Sequence, residues 1–169
     1  MIRLLYKLIV FFIAICIIPS LSSIVGHPVD PPKTSDVEAF YQIHKKELKI
    51  LTDYLTEQNY VSVYIDSSDG GAWAEFNTIK IEDNDVIKSI ESILRDGCKQ
   101  IYMSTDRNSI EFLLWTRTRD EAAGGLLYAL DPKKEPEVQF QTELVPLNEE
   151  RWFYYLAEYN KWRIEHQTD

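Results

Sequence analysis

The chain has 169 residues, with 18 basic against 27 acidic side chains, a formal charge of −9 and two cysteines. Once a leader is set aside, that length holds one ordinary domain and not two. Such a negative field disfavours nucleic acid and anionic lipid surfaces as partners, and two cysteines, one of them inside the leader, exclude an internal disulfide in the remainder.

Arg3 and Lys7 precede the apolar run LIVFFIAICII, and no acidic residue occurs before Asp30. This is the pattern of an export signal. Residues 1–25 then have two fates. Kept, they form an N-terminal hydrophobic helix that crosses the membrane through residues 4–25, with the basic flank in the cytoplasm and the C-terminal domain outside a bacterial-type cytoplasmic membrane. Cut at the small residues around Ser22, they leave a secreted protein. Cys16 follows Ile15, where a lipid-anchor signal requires a small side chain, so it is a filler of the apolar run. Without Arg3 and Lys7 the exported part carries 16 basic against 27 acidic residues, a formal −11.

Residues 26–35 contain Pro28, Pro31 and Pro32 and form a stiff linker. The domain follows over residues 36–163, with a tail at 164–169. Ser35 and Glu38 have capping-box spacing. Behind them Val37, Phe40, Tyr41, His44, Leu48, Leu51 and Leu55 share one helical stripe, which predicts a helix over about 36–58. YVSVYIDSS alternates with period two, placing Val61, Val63 and Ile65 inward on a strand. Asp69-Gly70-Gly71 turns the chain, and AEFNTIKI returns as a second strand.

Asp83 or Asn84 caps a second helix with Ile87, Ile90, Ile93 and Leu94 on its apolar face, and Gly97 suits the left-handed stop after it. KQIYMS, TDRNS and IEFLLWTRTR predict a hairpin, with Ile110, Phe112 and Leu114 on one face of the returning strand. A loop, DEAAGG, leads to the strand LLYAL, and a charged loop leads to VQFQTEL with Val138, Phe140 and Leu144 inward. Six rings fall within WFYYLAEYNKW, residues 152–162. As a strand, this stretch places Trp152, Tyr154 and Leu156 on one face and Phe153, Tyr155 and Ala157 on the other; as a helix, it would start at Asn148. The order predicts an α+β fold: a mainly antiparallel sheet of about five to seven strands with two main helices on one face.

Catalytic signatures are missing from the sequence. His27, His44 and His166 lie in a linker, on a helix stripe and in a tail, at no metal-binding spacing, and His44 is expected at the buried boundary of its helix. Cys98 follows the helix stop as a small buried hydrophobe. The glycine pairs 70–71 and 124–125 lack phosphate-binding patterns and are expected in turns. IDSSDGG only faintly echoes a calcium loop, because its aspartates stand three apart. No metal and no cofactor is expected.

The most informative surface signal is the set Leu113, Trp115, Arg117 and Arg119 at successive odd positions of one strand, residue types that concentrate binding energy, with Tyr64, Trp73 and Tyr102 as neighbours. The rival arrangement has the arginines paired with glutamates across the sheet. These features lead to the expectation of a non-catalytic module, tethered or exported, recognising a protein partner as an inhibitor, immunity protein or sensor. The competing expectations are a small extracytoplasmic hydrolase using Asp and Glu residues, and a structural subunit of an envelope assembly. The sequence does not specify the oligomeric state.

Overall fold

A computed structural model describes residues 30–58, 60–75, 77–117 and 121–166. The apolar leader, with its expected membrane span and the site near Ser22, lies outside the described residues, as do His27 and Arg119. Among the described residues no helix is long and apolar enough to cross a membrane.

The first helix, α1, runs Thr34–Glu57. Its expected stripe faces the core: Val37, Tyr41, His44, Leu48, Leu51 and Leu55 are buried and Phe40 is half-buried. Each fully buried leucine contributes on the order of 1.5–3 kcal/mol. The capping pair differs from the Ser35–Glu38 expectation. Lys33 is the cap residue, and its backbone N–H donates to the Asp36 carboxylate at 3.0 Å. His44 interrupts the helix with φ −105°, and its buried ring points Nε2 at the Asp96 carboxylate, 3.5 Å away, at the end of the second helix.

The strands β1 (Ser62–Ile65), β2 (Gly71–Ala74) and β3 (Asn77–Lys80) follow. Val63 and Ile65 are buried, but Val61 precedes the strand and is 48 % exposed. The predicted single strand AEFNTIKI is instead two short strands. Glu75 adopts a left-handed φ of 48°, and the chain folds back so that Ala74 pairs with Asn77 and Trp73 with Thr78. In the turn before β2, the Asp69 carboxylate accepts from Ser67 Oγ and Gly71 N, and these bonds hold its pKa below the ordinary carboxyl range.

Helix α2 spans Asn84–Arg95 and is capped by Asp83, whose side chain accepts from the N–H groups of Asp85 and Val86. Ile90 and Ile93 are buried and Ile87 and Leu94 half-buried, as the periodicity requires. Gly97, at φ +117°, ends it. Then come β4 (Gln100–Ser104), β5 (Ser109–Arg117), β6 (Ala122–Ala129), β7 (Gln141–Pro146), β8 (Trp152–Glu158) and a short helix α3 (Tyr159–His166).

All eight strands join one antiparallel sheet in the order β3-β2-β1-β4-β5-β6-β8-β7. The fold is α+β, with one strand more than the upper end of the expected range because of the break at Glu75. Residues Pro31–Asp169 form one compact unit. Helices α1 and α2 pack against each other, and the main core lies between them and one face of the sheet. Within the aromatic run, Trp152–Glu158 form β8 and the residues from Tyr159 onward begin α3, so no helix starts at Asn148. Trp152, Tyr154 and Leu156 enter the main core, while Tyr155 and Ala157 join a second, smaller cluster on the opposite face with Leu113 and Leu127.

Candidate functional site

The helix-free face is covered over only part of its width. Residues 130–140, between β6 and β7, form a strap across it. Asn108 fastens one end, accepting from Asp131 N at 2.5 Å and donating to the Lys134 carbonyl at 2.8 Å. Farther along, Glu137 N donates to the Arg107 carbonyl, and Ser109 Oγ donates to the Glu137 carbonyl. At the other end Glu158 N donates to the Phe140 carbonyl, and the Phe140 ring packs edge-on against Tyr159 and Trp162. Beneath the strap, Val138 lies on the cluster of Leu113, Leu127, Tyr155 and Ala157. Val138 and Phe140 are therefore strap residues, half-buried, and not members of the strand predicted for them.

Beyond the strap the same face stays open. Antiparallel pairing sets Trp73 opposite Tyr64, Tyr64 opposite Tyr102, and Tyr102 opposite Glu111. Directly opposed residues share a face with Cβ atoms about 4.5–5.5 Å apart, so these four side chains form one transverse row. Trp73 is 55 % exposed, and both tyrosines are half-buried. Three residues named from sequence as neighbours of a binding strip, Tyr64, Trp73 and Tyr102, are brought together here.

Where the row meets the strap, a groove of about 360 Å³ opens between Tyr64 and Tyr102 on one side and Val138 and Phe140 on the other, with Arg107 and Glu111 also lining it. Glu111 Oε1 accepts the hydroxyl proton of Tyr155 at 2.5 Å. Burial raises the Glu111 pKa above the usual carboxyl range, opposed by the Tyr155 hydroxyl and by the charge of Arg107. Burial and the neighbouring Glu111 charge push Tyr155 well above 10, so it stays a neutral donor. Cys98 Sγ lies 3.2 Å from the Gln100 carbonyl, and burial pushes its thiol up to about 12. It is the small buried hydrophobe its position predicted.

The predicted strip itself is not assembled. A bulge between Leu113 and Trp115 shifts the register of β5 against β6. Leu113 stays on the helix-free face but is sealed under the strap, 7 % exposed, while Trp115 is turned into the main core at 2 %. Arg117 lies with its guanidinium 5.5 Å from the Trp115 ring centroid and 3.9 Å from Glu158 Oε1, near the rival arrangement weighed from the sequence. Sequence reasoning did not single out Glu111, Arg107 or the strap residues. The available signal was Glu111 itself, one acid between apolar neighbours in IEFLLW. The glycines at 124 and 125 are also misplaced by the sequence reading: they lie inside β6, not in a turn.

A second cleft, about 210 Å³, lies between α1 and the ends of β6 and β8. Its cations have internal partners: Lys45 bonds Glu149 at 2.5 Å, Lys49 bonds Asp53 at 2.7 Å, and Arg151 donates to the carbonyls of Ala129 and Leu130. Among the described residues no group of three or more His, Cys, Asp or Glu side chains is placed to hold a metal. No family model, no curated protein and no solved structure significantly matches this chain.

Proposed function

We propose that the protein is a non-catalytic binding module held at or released beyond a cytoplasmic membrane, and that it recognises a protein partner through the uncovered half of its helix-free sheet face. Its role is of the inhibitor, immunity or sensor kind. The observation that carries this reading is the open row of Trp73, Tyr64 and Tyr102, aromatic residues of the types that supply most binding energy at protein interfaces. The placement beyond the membrane is argued from the apolar leader, and a basic partner from the formal charge of −9. The test compares partner recovery from membranes by the full-length chain with that by a Trp73→Ala, Tyr102→Ala variant. Selective loss of a partner supports the reading, and identical recovery by both proteins rejects this face.

A hydrolase is the second reading, and the observation that favours it is Glu111, a carboxyl with a raised pKa in an open groove. A hydrolytic activity abolished by Glu111→Gln would establish it in place of the first.

A further inference from the structure

We infer that the groove beside the strap receives an arginine side chain from an extended basic segment of the partner, with the guanidinium meeting Glu111 and the rings of Tyr64 and Tyr102 flanking it. This deepens the proposed function, on which it rests, by naming the chemistry of the occupant.

Size is the first argument. At about 360 Å³ the groove falls at the small end of ligand sites, suited to one side chain and too small for a folded element. Chemistry is the second. Tyr155 is the hydrogen-bond donor that the described residues supply to Glu111, on Oε1, and the open groove leaves Oε2 to solvent or to an incoming N–H. Glu111 is partly buried at the wall of an open groove with room for further donors, and a guanidinium supplies paired donors in a planar fork. The raised pKa of Glu111 has this same origin in burial. The tyrosine rings offer π faces to a flat cation, for which arginine is better shaped than lysine.

Charge is the third argument. The formal −9 draws basic partners and repels anionic membranes and nucleic acid. Arg107 works against entry: it lines the same groove, and its charge already favours ionised Glu111. It acts as an internal competitor, which an incoming arginine must displace or outmatch.

The experiment uses the full-length chain in detergent micelles, amide NMR, and three end-blocked tripeptides: Gly-Arg-Gly, Gly-Lys-Gly and Gly-norleucine-Gly. Gly-Arg-Gly should shift the amides of Tyr64, Tyr102 and Glu111 saturably, Gly-Lys-Gly should bind more weakly, and the norleucine peptide should leave them unmoved. Glu111→Gln, which keeps the shape and an acceptor for Tyr155, should weaken the arginine peptide by about tenfold or more, a loss typical of a charge-assisted bond. Arg107→Ala should tighten it. No shift in the groove, equal shifts with norleucine, or equal affinity in Glu111→Gln overturns the inference. Its failure is separable from that of the function above. A partner lost with Trp73→Ala, Tyr102→Ala yet retained by Glu111→Gln leaves the face standing and removes the arginine receptor. Tripeptide binding with unchanged partner recovery in the Trp73 variant does the reverse.

Discussion

Leu113 and Trp115, two residues apart on β5, point to opposite faces of the sheet. Two consecutive odd positions of a regular strand share a face, and the bulge at Leu114 breaks that rule. Gly125 permits it. A Cβ at that position would overlap the Phe112 carbonyl and stand 3.0 Å from Leu114 N, both backbone atoms that cannot swing aside. Gly124 is different, since its nearest neighbours at 3.3 Å include the end of the Leu156 side chain. We therefore expect Gly125→Ala to destabilise by about 2–3 kcal/mol and Gly124→Ala by about 1 kcal/mol, as overpacking in a rigid or a yielding site does. Urea unfolding followed by tryptophan fluorescence measures both. Equal losses would mean that the bulge does not depend on the bare backbone at 125.

The two tryptophans on strands that frame the row make a paired prediction. Trp115 is buried at 2 % and Trp73 is 55 % exposed. Trp115→Ala should cost about 3–5 kcal/mol of stability, the range for removing a large core ring. Trp73→Ala should change stability by no more than about 0.5 kcal/mol, because its ring faces water. The same denaturation experiment reads both. A large loss from Trp73→Ala would mean that the ring belongs to the core and would remove the most exposed member of the proposed contact surface.

Helices α1 and α2 and the hairpin β4–β5 were legible in the sequence, since each follows from a strict period of buried residues with a recognisable stop; the two faces of β8 followed from its pattern once it is a strand, and α3, which buries no residue, left no such period. Asp83 and Gly97 bracket α2 by local chemistry alone. Three features were not legible. The bulge at Leu114 depends on Gly125 in a neighbouring strand, a tertiary relation invisible to a window along one segment. The break at Glu75 relies on a left-handed non-glycine residue, for which composition gives no signal. Val138 and Phe140 are apolar at strand spacing, yet they satisfy their burial by lying across the sheet, and apolar periodicity cannot separate these outcomes. The candidate site was half visible for that reason. The strand pattern places Tyr64, Trp73 and Tyr102 on the exposed face, but the residue of β5 that joins them is Glu111, while Trp115 lies in the core.

Cys98 gives a prediction about reactivity. With its thiol raised to about 12 by burial, roughly one molecule in ten thousand carries the reactive thiolate at pH 8. Iodoacetamide should leave the Cys98 peptide unmodified in the folded protein over hours and label it within minutes in 6 M guanidinium, as read by peptide mass spectrometry. Following that peptide alone avoids confusion with Cys16. Fast labelling in the folded protein would mean that the structure around Cys98 opens locally.

Glu111 and Tyr155 make stability depend on pH with a definite sign. The carboxyl of Glu111 titrates above the ordinary 4.5 in the folded protein because burial disfavours its charge. Below 4.5 both folded and unfolded chains hold the proton, and the contribution to stability is complete. As pH rises toward the folded value, the unfolded chain releases its proton first, so stability falls and the contribution is lost. Glu111→Gln removes this dependence while keeping an acceptor for the tyrosine hydroxyl. The variant and the parent should have similar stabilities near pH 4, and the variant should be the more stable at pH 8. Tyr155→Phe should act in the other direction. It deletes a donor to a buried carboxylate, costing about 1–3 kcal/mol at pH 8, and because that bond lowers the Glu111 pKa, its loss shifts the titration upward. Urea titrations of the three proteins from pH 4 to pH 8 separate these effects. Parallel curves for the parent and Glu111→Gln would show that Glu111 keeps an ordinary pKa in the fold, and that the groove is wetter than its geometry implies.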